Sequence, residues 1–600
     1  MPESEWPRCL SFGLATAMGT PFDDGNPLPV CGHDRRECAQ VAPGHHTPGH
    51  SLQLDIHLGY RAEATEFGAI GVCMMRKSVR RSLRRGGNVS RLASLCAALA
   101  LAMALGLLVL RLAPGGSSWS RHSLVLISLM ALALVGALVV GDIRRILLLS
   151  LVLGIPLNLA FSPLGDVPYR GGGASDGVIL YPYDFPLIGL VAMWWLDALS
   201  GRRPVRFSGM DVAAISLIIW SALSICNSSS ARLSVFEIVR MAKLYLLSRV
   251  VAASVRTKRD MQDVLIALLV GLMGQGVIGL LQYTIGTDLG LGLFTVGELR
   301  RVSGTIGWPN TFGTYAATIV CVAFPLWLGR AGMRSRIAVG AMCAAGFVPV
   351  ILSFSRGAWF ALLPGLVTAV LLCWHKGWLD ARSLARLAVL GLCAVVVGVF
   401  FGSSVVSRLT EVSVDMPVIV IRVQLNRIAL KMIAAHPLLG VGINTFVEEM
   451  WQYDMTGVTE LFPEPVHNVY LLVASETGLV GLGLFLLLLA SAFREGLQAV
   501  RTGDRFTSVC AIGLLAGFVV LAVSNVADEH LRTEVLYALF WLLIGLVAAA
   551  RRPLASTALH GFEEGVIQLN REQARGRAQL PDQGSARSET LFAGAEGFLP

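Results

Sequence analysis

Long apolar blocks separated by short polar segments dominate the chain from about residue 92 onward. Within these blocks the apolar residues show neither the alternation of a half-buried strand nor the narrow stripe of a soluble amphipathic helix. A helix needs about 20 mostly apolar residues to cross a bilayer. The pattern therefore predicts an all-α polytopic membrane bundle with about fourteen transmembrane helices, near residues 92–111, 122–141, 146–163, 184–199, 209–226, 235–253, 261–284, 311–329, 336–354, 357–374, 385–403, 468–493, 507–525 and 533–550.

Composition and charge agree with this class of protein. Apolar residues make up 54% of the chain and charged residues 15%, which exceeds the apolar content of ordinary globular domains. Lys and Arg concentrate in alternate loops, beginning with RKSVRRSLRR at Arg76–Arg85. Because cytoplasmic loops retain basic residues during insertion, we expect both termini in the cytoplasm. The formal charge of +9 then needs no nucleic-acid partner.

Four regions follow from this map. Residues 1–90 are expected to be a cytoplasmic tail, with Met74 or Met75 as an alternative start, and 91–284 hold the N-terminal membrane helices. Residues 285–550 are the expected catalytic membrane region, and 551–600 form a polar tail expected to be disordered. Cysteines of the first tail follow no standard zinc-ligand spacing, so no metal site is expected.

Two polar blocks on the predicted outer side contain arginines. In ELRRVSGTIGWPNTFGTYAA, Arg300, Arg301 and Asn310 precede or open a helix, which predicts an anion cradle. The alternative is a Gly/Pro turn with interfacial arginines. In SFSRGAW, Arg356 lies where two spans meet, and its alternative role is a snorkelling arginine beside Trp359.

The segment 404–466 is the longest predicted outer loop, and loops of this length are often functional. Part of it predicts a short amphipathic helix on the membrane surface, from the apolar positions Val423, Ile428, Leu430 and Ile433. Arg422, Arg427 and Lys431 recur close to one face of that helix. The alternative role for this basic helix is contact with lipid headgroups alone.

A His-Asn pair, His467 and Asn468, immediately precedes one of the apolar spans. Histidine is a suitable general base near neutral pH because its unperturbed pKa is about 6.5. The alternative is a helix cap, since Asn is a favoured N-cap residue. Glu476 is one candidate to orient the imidazole, although nine residues, or about 13 Å of helical rise, separate the two residues.

Charged residues also fall within a predicted span. Glu237, Arg240 and Lys243 follow one another at three-residue steps, which places them along one side of a helix. Charges in a span normally face the bundle interior or a wet cavity. Arg240 is therefore a candidate substrate-binding residue, and structural ion pairing is the alternative.

Together these blocks resemble the bacterial O-antigen ligase and polymerase superfamily. His467-Asn468, nine residues, Gly478, two residues and Gly481 match the pattern H-[NSQ]-x9-GxxG that is typical of the ligases. RVSGTIGWPN, SFSRGAW and HPLLGVGINTF precede this motif in the order usual for the family. The resemblance covers residues 300–485 well and the earlier spans by hydropathy only.

The resemblance implies a GT-C-like membrane glycosyltransferase in the bacterial inner membrane, with a periplasmic active site and no metal or other cofactor. It implies a polyprenyl-diphosphate-linked glycan as the donor and a hydroxyl of lipid A-core, a growing glycan or a protein as the acceptor. By motif, the implied catalytic residues are His467, Arg356 and Arg422, and Arg427 is an alternative to Arg422. The predicted substrate-binding residues are Arg300, Arg301, Asn310, Arg427, Asn468 and Arg240.

Two other functions remain open at this stage. A polymerase or a protein O-oligosaccharyltransferase of the same superfamily can carry similar blocks. A polysaccharide transporter or flippase could have as many helices, but transporters tend to contain paired repeats with polar groups near the bilayer midplane. The sequence contains no clear repeat, and its polar blocks crowd the outer ends of helices.

Overall fold

A computed structural model describes residues 142–160, 169–170, 174–175, 177, 179–200, 207–286, 294–296, 299–328, 333–388 and 416–554. All of these residues belong to one compact unit. The predicted spans 92–111 and 122–141, most of 385–403, the tail 1–90 and residues 555–600 lie outside the described part of the chain.

Helices form almost all of the described structure. Those of twelve or more residues are α1 (Ile143–Gly154), α2 (Asp184–Leu199), α3 (Gly209–Leu223), α4 (Ala231–Ser254), α5 (Lys258–Ile285), α6 (Pro309–Leu328), α7 (Met333–Leu352), α8 (Arg356–His375), α9 (Met416–Ala435), α10 (Val469–Thr502), α11 (Arg505–Ser524) and α12 (Glu534–Ala550). A further helix occupies residues 381–388. Short helices at Phe446–Glu449 and Val458–Leu461, and 3-10 turns at Ser224–Asn227, Met450–Tyr453 and His530–Arg532, complete the helical set.

Two small antiparallel hairpins were not anticipated by the all-α prediction. Strand β1 (Tyr169–Arg170) pairs with β2 (Ala174–Ser175), and β3 (Phe294–Val296) pairs with β4 (Leu299–Arg301). In the second hairpin Arg301 lies opposite Phe294 and Arg300 opposite Thr295. Strands this short are not detectable in a pattern of apolar blocks. Strand β4 is nevertheless important, because it ends at Arg301, a residue of the candidate site.

Six of the described helical segments are long and apolar enough to cross a membrane: Gly209–Asn227, Lys258–Ile285, Pro309–Leu328, Arg356–His375, Val469–Thr502 and Arg505–Ser524. They correspond to six of the fourteen predicted spans. The predictions at 336–354 and 533–550 meet shorter apolar helices, Val339–Leu352 and Glu534–Ala550. The predicted spans at 146–163, 184–199 and 235–253 coincide with α1, α2 and α4. These helices are either too short or not apolar enough to be counted as membrane-crossing. The described region is that of a multi-pass membrane protein.

Helices α6, α11 and α12 form the centre of the bundle. Within the most apolar 18-residue stretch of each helix, 89% is buried inside the protein in α6 and 78% in α11, against 33% in α8. Helix α12 is buried on all sides, as Leu536, Phe540 and Leu543 illustrate. A helix that is hydrophobic all round belongs in the interior of a large protein. The site described below is held by the ends of these central helices.

The described part of the long loop that was predicted to face outward, residues 416–466, has a core of its own. Leu425, Ile428, Ala429 and Met432 of α9 pack with residues of the short helices, including Phe446. This corrects the predicted apolar face of α9: Ile428 is buried, but Val423 is 43% exposed and Leu430 55% exposed. The sequence did not separate the two faces because apolar residues occur on both, one packed on protein and one open to the surroundings.

The HPLLGVGINTF block packs against a break in α10. Gly478 has φ 72° inside α10, where other residues would be strained. There the Leu479 amide donates to the Pro437 carbonyl at 2.8 Å, and the Val441 amide donates to the Ser475 carbonyl at 2.9 Å. Gly440 (φ 68°) allows this approach, since an added Cβ would collide with the backbone of Glu476. Gly440 and Gly478 are thus explained by contact between two irregular backbones.

Candidate active site

His467 lies immediately before α10, and a short loop between α11 and α12 surrounds its ring. This segment, Asn525–Thr533, is called the acidic loop below. The Val469 amide donates to the Asn525 carbonyl at 2.9 Å, which joins the loop to the start of α10. His467 Nδ1 shares a short hydrogen bond with Glu529 Oε2, and Asp528 Oδ1 lies 3.6 Å from the same nitrogen. The ring contacts both carboxylates through Nδ1 and not through Nε2.

The surroundings of His467 change its acid strength. Burial alone would lower the pKa of the imidazole, but hydrogen bonds to Asp528 and Glu529, together with their charges, outweigh burial and raise the pKa to about 9. Burial and the charge of Asp528 raise the pKa of Glu529. Burial lowers the pKa of the neighbouring His530. His467 thus favours its protonated form, while His530 favours its neutral form.

Arg422 reaches the same loop from α9. Its Nη1 donates to the Ala527 carbonyl at 2.7 Å, directly before Asp528. Its Nε is buried and has no hydrogen-bond partner within the described residues. Arg427, five residues later, is exposed. The structure therefore brings Arg422 next to the acidic loop, and α9 points Arg427 outward.

This difference gives a first prediction. For the glycan transfer that the sequence resemblance implies, Arg422→Ala is expected to lower the rate by about 100-fold, because it removes a guanidinium beside the acidic loop. Arg427→Ala should lower the rate less than threefold, as is usual for a rim charge. Initial transfer rates of the two purified variants measure the difference. The reverse order would assign the role to Arg427.

A second arginine, Arg301, reaches the acidic loop through Asn310. Arg301 Nη2 donates to Asn310 Oδ1 at 2.7 Å, and Asn310 Nδ2 donates to Asp528 Oδ2 at 2.8 Å. Arg301 Nε also donates to the Ser353 carbonyl at 3.0 Å. Arg300 is exposed and lies against Gly286 at the end of α5. Of the two predicted arginines, Arg301 is the one that the structure connects to His467.

Arg356 begins α8, one residue after the N-cap Ser355, whose hydroxyl accepts from the Ala358 amide. The preceding turn is tight, since Phe354 is buried with φ 46°, an uncommon conformation for a residue other than glycine. Arg301 holds this turn through the Ser353 carbonyl. An added Cβ at Gly357, the residue after Arg356, would meet nothing within 4 Å, so α8 faces open space at that position.

Asn468 acts as a helix cap. Its Oδ1 accepts from the amides of Tyr470 at 2.9 Å and Leu471 at 3.1 Å. Those are two of the amide groups that a helix start leaves unsatisfied. The contact supports the capping role that the sequence left open for Asn468, and the cap fixes where α10 begins relative to His467.

The charged residues of α4 contact the acidic loop and the start of α12. Arg240 donates to Glu237 at 2.9 Å and to the Arg532 carbonyl at 3.0 Å. Lys243 pairs with Glu534 at 2.7 Å. These bonds satisfy charges that would be costly alone in a low-dielectric interior. Arg240 therefore supports the acidic loop from inside, which is the structural pairing that the sequence left as an alternative.

Glu476 does not orient the imidazole. It forms a short ion pair with Arg532 and accepts from the Phe446 amide at 3.3 Å. Arg532 also donates to Asn444 Oδ1 at 2.8 Å. Glu476 thus joins the acidic loop to the HPLLGVGINTF block, and Asp528 and Glu529 contact the ring instead.

No motif in the sequence predicted the acidic loop itself. Asp528, Glu529, His530 and Arg532 occur together in ADEHLRTE, a charge-rich stretch between two apolar spans on the same predicted side as His467. That density of titratable residues was the available signal. It was overlooked because the loop is short and lies 61 residues after the histidine, with two spans between them.

One group of residues could be compared with a metal site. Among the described residues, Glu464, His467 and Glu529 offer ligand atoms within 4.8 Å of one another. His467 Nδ1 and Glu529 Oε2 already share a short hydrogen bond, so a cation bound to these two atoms would have to replace the proton between them. The arrangement is therefore read as an acid–base group.

Comparison with known proteins gives one family. The O-antigen ligase family model matches residues 341–486. The match begins within α7 and ends within α10, so it includes Arg356, Arg422 and His467 and stops before the acidic loop. No curated protein matches the chain. Residues 341–486 are thus similar to the O-antigen ligase family, and this match supports the resemblance to the O-antigen ligase superfamily of membrane enzymes.

Proposed function

We propose that this protein is a GT-C-like glycosyltransferase that moves a preassembled glycan from a polyprenyl diphosphate to an acceptor hydroxyl at the periplasmic face of the inner membrane. The observation that carries the proposal is the hydrogen bond of His467 Nδ1 to Glu529, with the guanidinium of Arg422 beside the same loop. It supports the assignment of His467 as the base and of Arg422 as a cation for the lipid-linked donor.

The proposed reaction assigns one task to each group. His467 Nε2 accepts the proton of the acceptor hydroxyl, and the Nδ1 proton is held by Glu529. The hydroxyl oxygen bonds to the anomeric carbon with inversion while the bond to the diphosphate breaks. Arg356 and Arg422 stabilise the charge that develops on the departing diphosphate, because a guanidinium binds phosphate oxygens through strong charge-assisted bonds. Ligase, polymerase and protein-transfer versions differ in the acceptor.

The direct test uses purified protein in lipid vesicles with a polyprenyl-diphosphate-linked glycan and separate acceptors. We expect transfer to lipid A-core. Elongation of the donor glycan alone would identify a polymerase, and transfer to a protein hydroxyl would identify an O-oligosaccharyltransferase. Movement of intact donor across the vesicle membrane without transfer would contradict the proposal and favour the transporter alternative.

The raised pKa of His467 predicts an alkaline rise in activity. A general base acts in its unprotonated form, and with a pKa of about 9 most His467 is protonated at pH 7. The transfer rate should therefore increase from pH 7 towards pH 9. Glu529→Gln removes a negative charge that favours the imidazolium, so the pKa of His467 should fall and the rise should move to lower pH.

The measurement is the pH profile of kcat for the wild type, Glu529→Gln and a control, Glu460→Gln. Glu460 is an exposed carboxylate in the same outer region, so its removal should leave the profile in place. A profile that moves to higher pH in Glu529→Gln, or one that does not move, would contradict the assigned base.

The proposed reaction needs no metal ion, and the same geometry supports this expectation. Arginines supply the positive charge for the diphosphate, and the Glu529 carboxylate is already bonded to His467. Transfer should therefore be undiminished in excess EDTA. Loss of activity that added Mg²⁺ or Mn²⁺ restores would show that a cation takes part. A chelator-sensitive enzyme run in parallel verifies that the metal has been removed.

A further inference from the structure

Asn310 lies in the first turn of α6 between a cation and an anion. Its Oδ1 accepts from Arg301 Nη2 at 2.7 Å, and its Nδ2 donates to Asp528 Oδ2 at 2.8 Å. These contacts fix the amide orientation, because a guanidinium can only donate and an ionised carboxylate can only accept. Both ends of the Asn310 amide are thus engaged within the protein.

The two contacts lead to two functional residues. On one side, Arg301 Nε holds the Ser353 carbonyl at 3.0 Å, in the turn that delivers Arg356. On the other side, the second oxygen of Asp528 lies 3.6 Å from His467 Nδ1. A continuous polar chain therefore runs from the Ser353 turn through Asn310 to the imidazole.

Neighbouring residues of α6 contact the same two segments. An added Cβ at Gly313 would lie 3.1 Å from the Cβ of Ser353, so this glycine lets the turn approach closely. Thr314 Oγ1 lies 3.1 Å from His530 Nε2. Positions 310, 313 and 314 share one helix face. That face holds the Ser353 turn and the acidic loop together.

We infer that Asn310 is a positioning residue, which holds Asp528 beside His467 and, through Arg301, keeps the turn carrying Arg356 in register with that base. The inference rests on the proposed function and replaces the substrate-binding role predicted for Asn310. An amide suits the position, because it donates on one side, accepts on the other and adds no charge. A carboxylate at position 310 would face Asp528 with no N–H group to donate between them. Alanine at this position would remove the hydrogen bonds to Arg301 and to Asp528.

The first test needs no substrate. Asn310→Asp should lower the thermal unfolding temperature because two carboxylates meet. Asp528→Asn should lower it because both Asp528 oxygens accept hydrogen bonds, one from Asn310 Nδ2 and one from the Glu529 amide, and an amide side chain has only one acceptor oxygen. The double variant restores a donor–acceptor pair and places a carboxylate opposite the Arg301 guanidinium, so it should be more stable than either single variant. Simple addition of the two losses would overturn the inference. Thr368→Ala, twelve residues into α8, combined with Asp528→Asn, is the additive control.

The second test separates positioning from binding. Asn310→Ala should lower kcat by on the order of 100-fold, the effect of a catalytic group displaced by about 1 Å, with KM for the donor changed less than twofold. A raised KM with unchanged kcat would show that Asn310 binds substrate and would overturn the inference. If the stability coupling is present but the wild type transfers no glycan, the proposed function fails and the Asn310 contact stands.

Discussion

Replacing His467 with alanine is expected to reduce glycan transfer by about 100- to 10,000-fold, the usual contribution of a general base. The loss should appear in kcat, because the imidazole acts on the hydroxyl during bond formation. Insertion into the membrane should persist, since His467 lies before α10 and Asn468 caps that helix independently. Initial rates for purified protein in vesicles measure the effect, and gel filtration checks the folded state.

His375 provides the matched control. It is exposed at the last residue of α8, the opposite end of that helix from Arg356. His375→Ala should therefore transfer glycan at the wild-type rate. A His467→Ala variant as active as the control would remove His467 from the reaction and leave the acidic loop without its assigned function.

Replacing Arg356 with alanine is the second variant expected to have a very large effect. Loss of a donor that stabilises developing negative charge lowers kcat by about 100- to 1,000-fold in well-studied enzymes. Arg356→Lys should recover part of the rate, because lysine keeps the charge but loses the planar fork that grips two phosphate oxygens. Arg382→Ala, an exposed arginine beyond the end of α8, is the control for loss of one positive charge. Full activity of Arg356→Ala would eliminate it as a diphosphate ligand.

Apolar block length predicted much of the fold, but not all of it. Helix α11 was recognised because it is long, uninterrupted and apolar. The hydropathy signal of α4 is weaker, because Glu237, Arg240 and Lys243 interrupt its apolar residues. In the structure Arg240 and Lys243 pair with Glu534, which is far away in the chain. A hydropathy pattern describes one segment of the chain at a time, so it does not show ion pairs between distant segments.

The candidate site was predictable where its residues lie in local motifs. His467, Arg356 and Arg422 each follow from a short block, and the preference for Arg422 over Arg427 agrees with their different placement. Asp528 and Glu529 could not be assigned in this way, because their contact with His467 depends on how α10 and α11 fold back on each other. Asn310 was noticed as a polar residue, but its two partners, Arg301 and Asp528, were evident only in three dimensions.

The most direct test of the central claim uses a deletion strain complemented with the wild type or with His467→Ala. Gels of surface polysaccharide and of lipid-linked glycan are compared in the two strains. The account predicts that long glycan chains accumulate on the lipid carrier and fail to reach the lipid A-core in the His467→Ala strain. Identical profiles in the two strains, with both proteins present in the membrane, would contradict a glycosyltransferase that depends on His467.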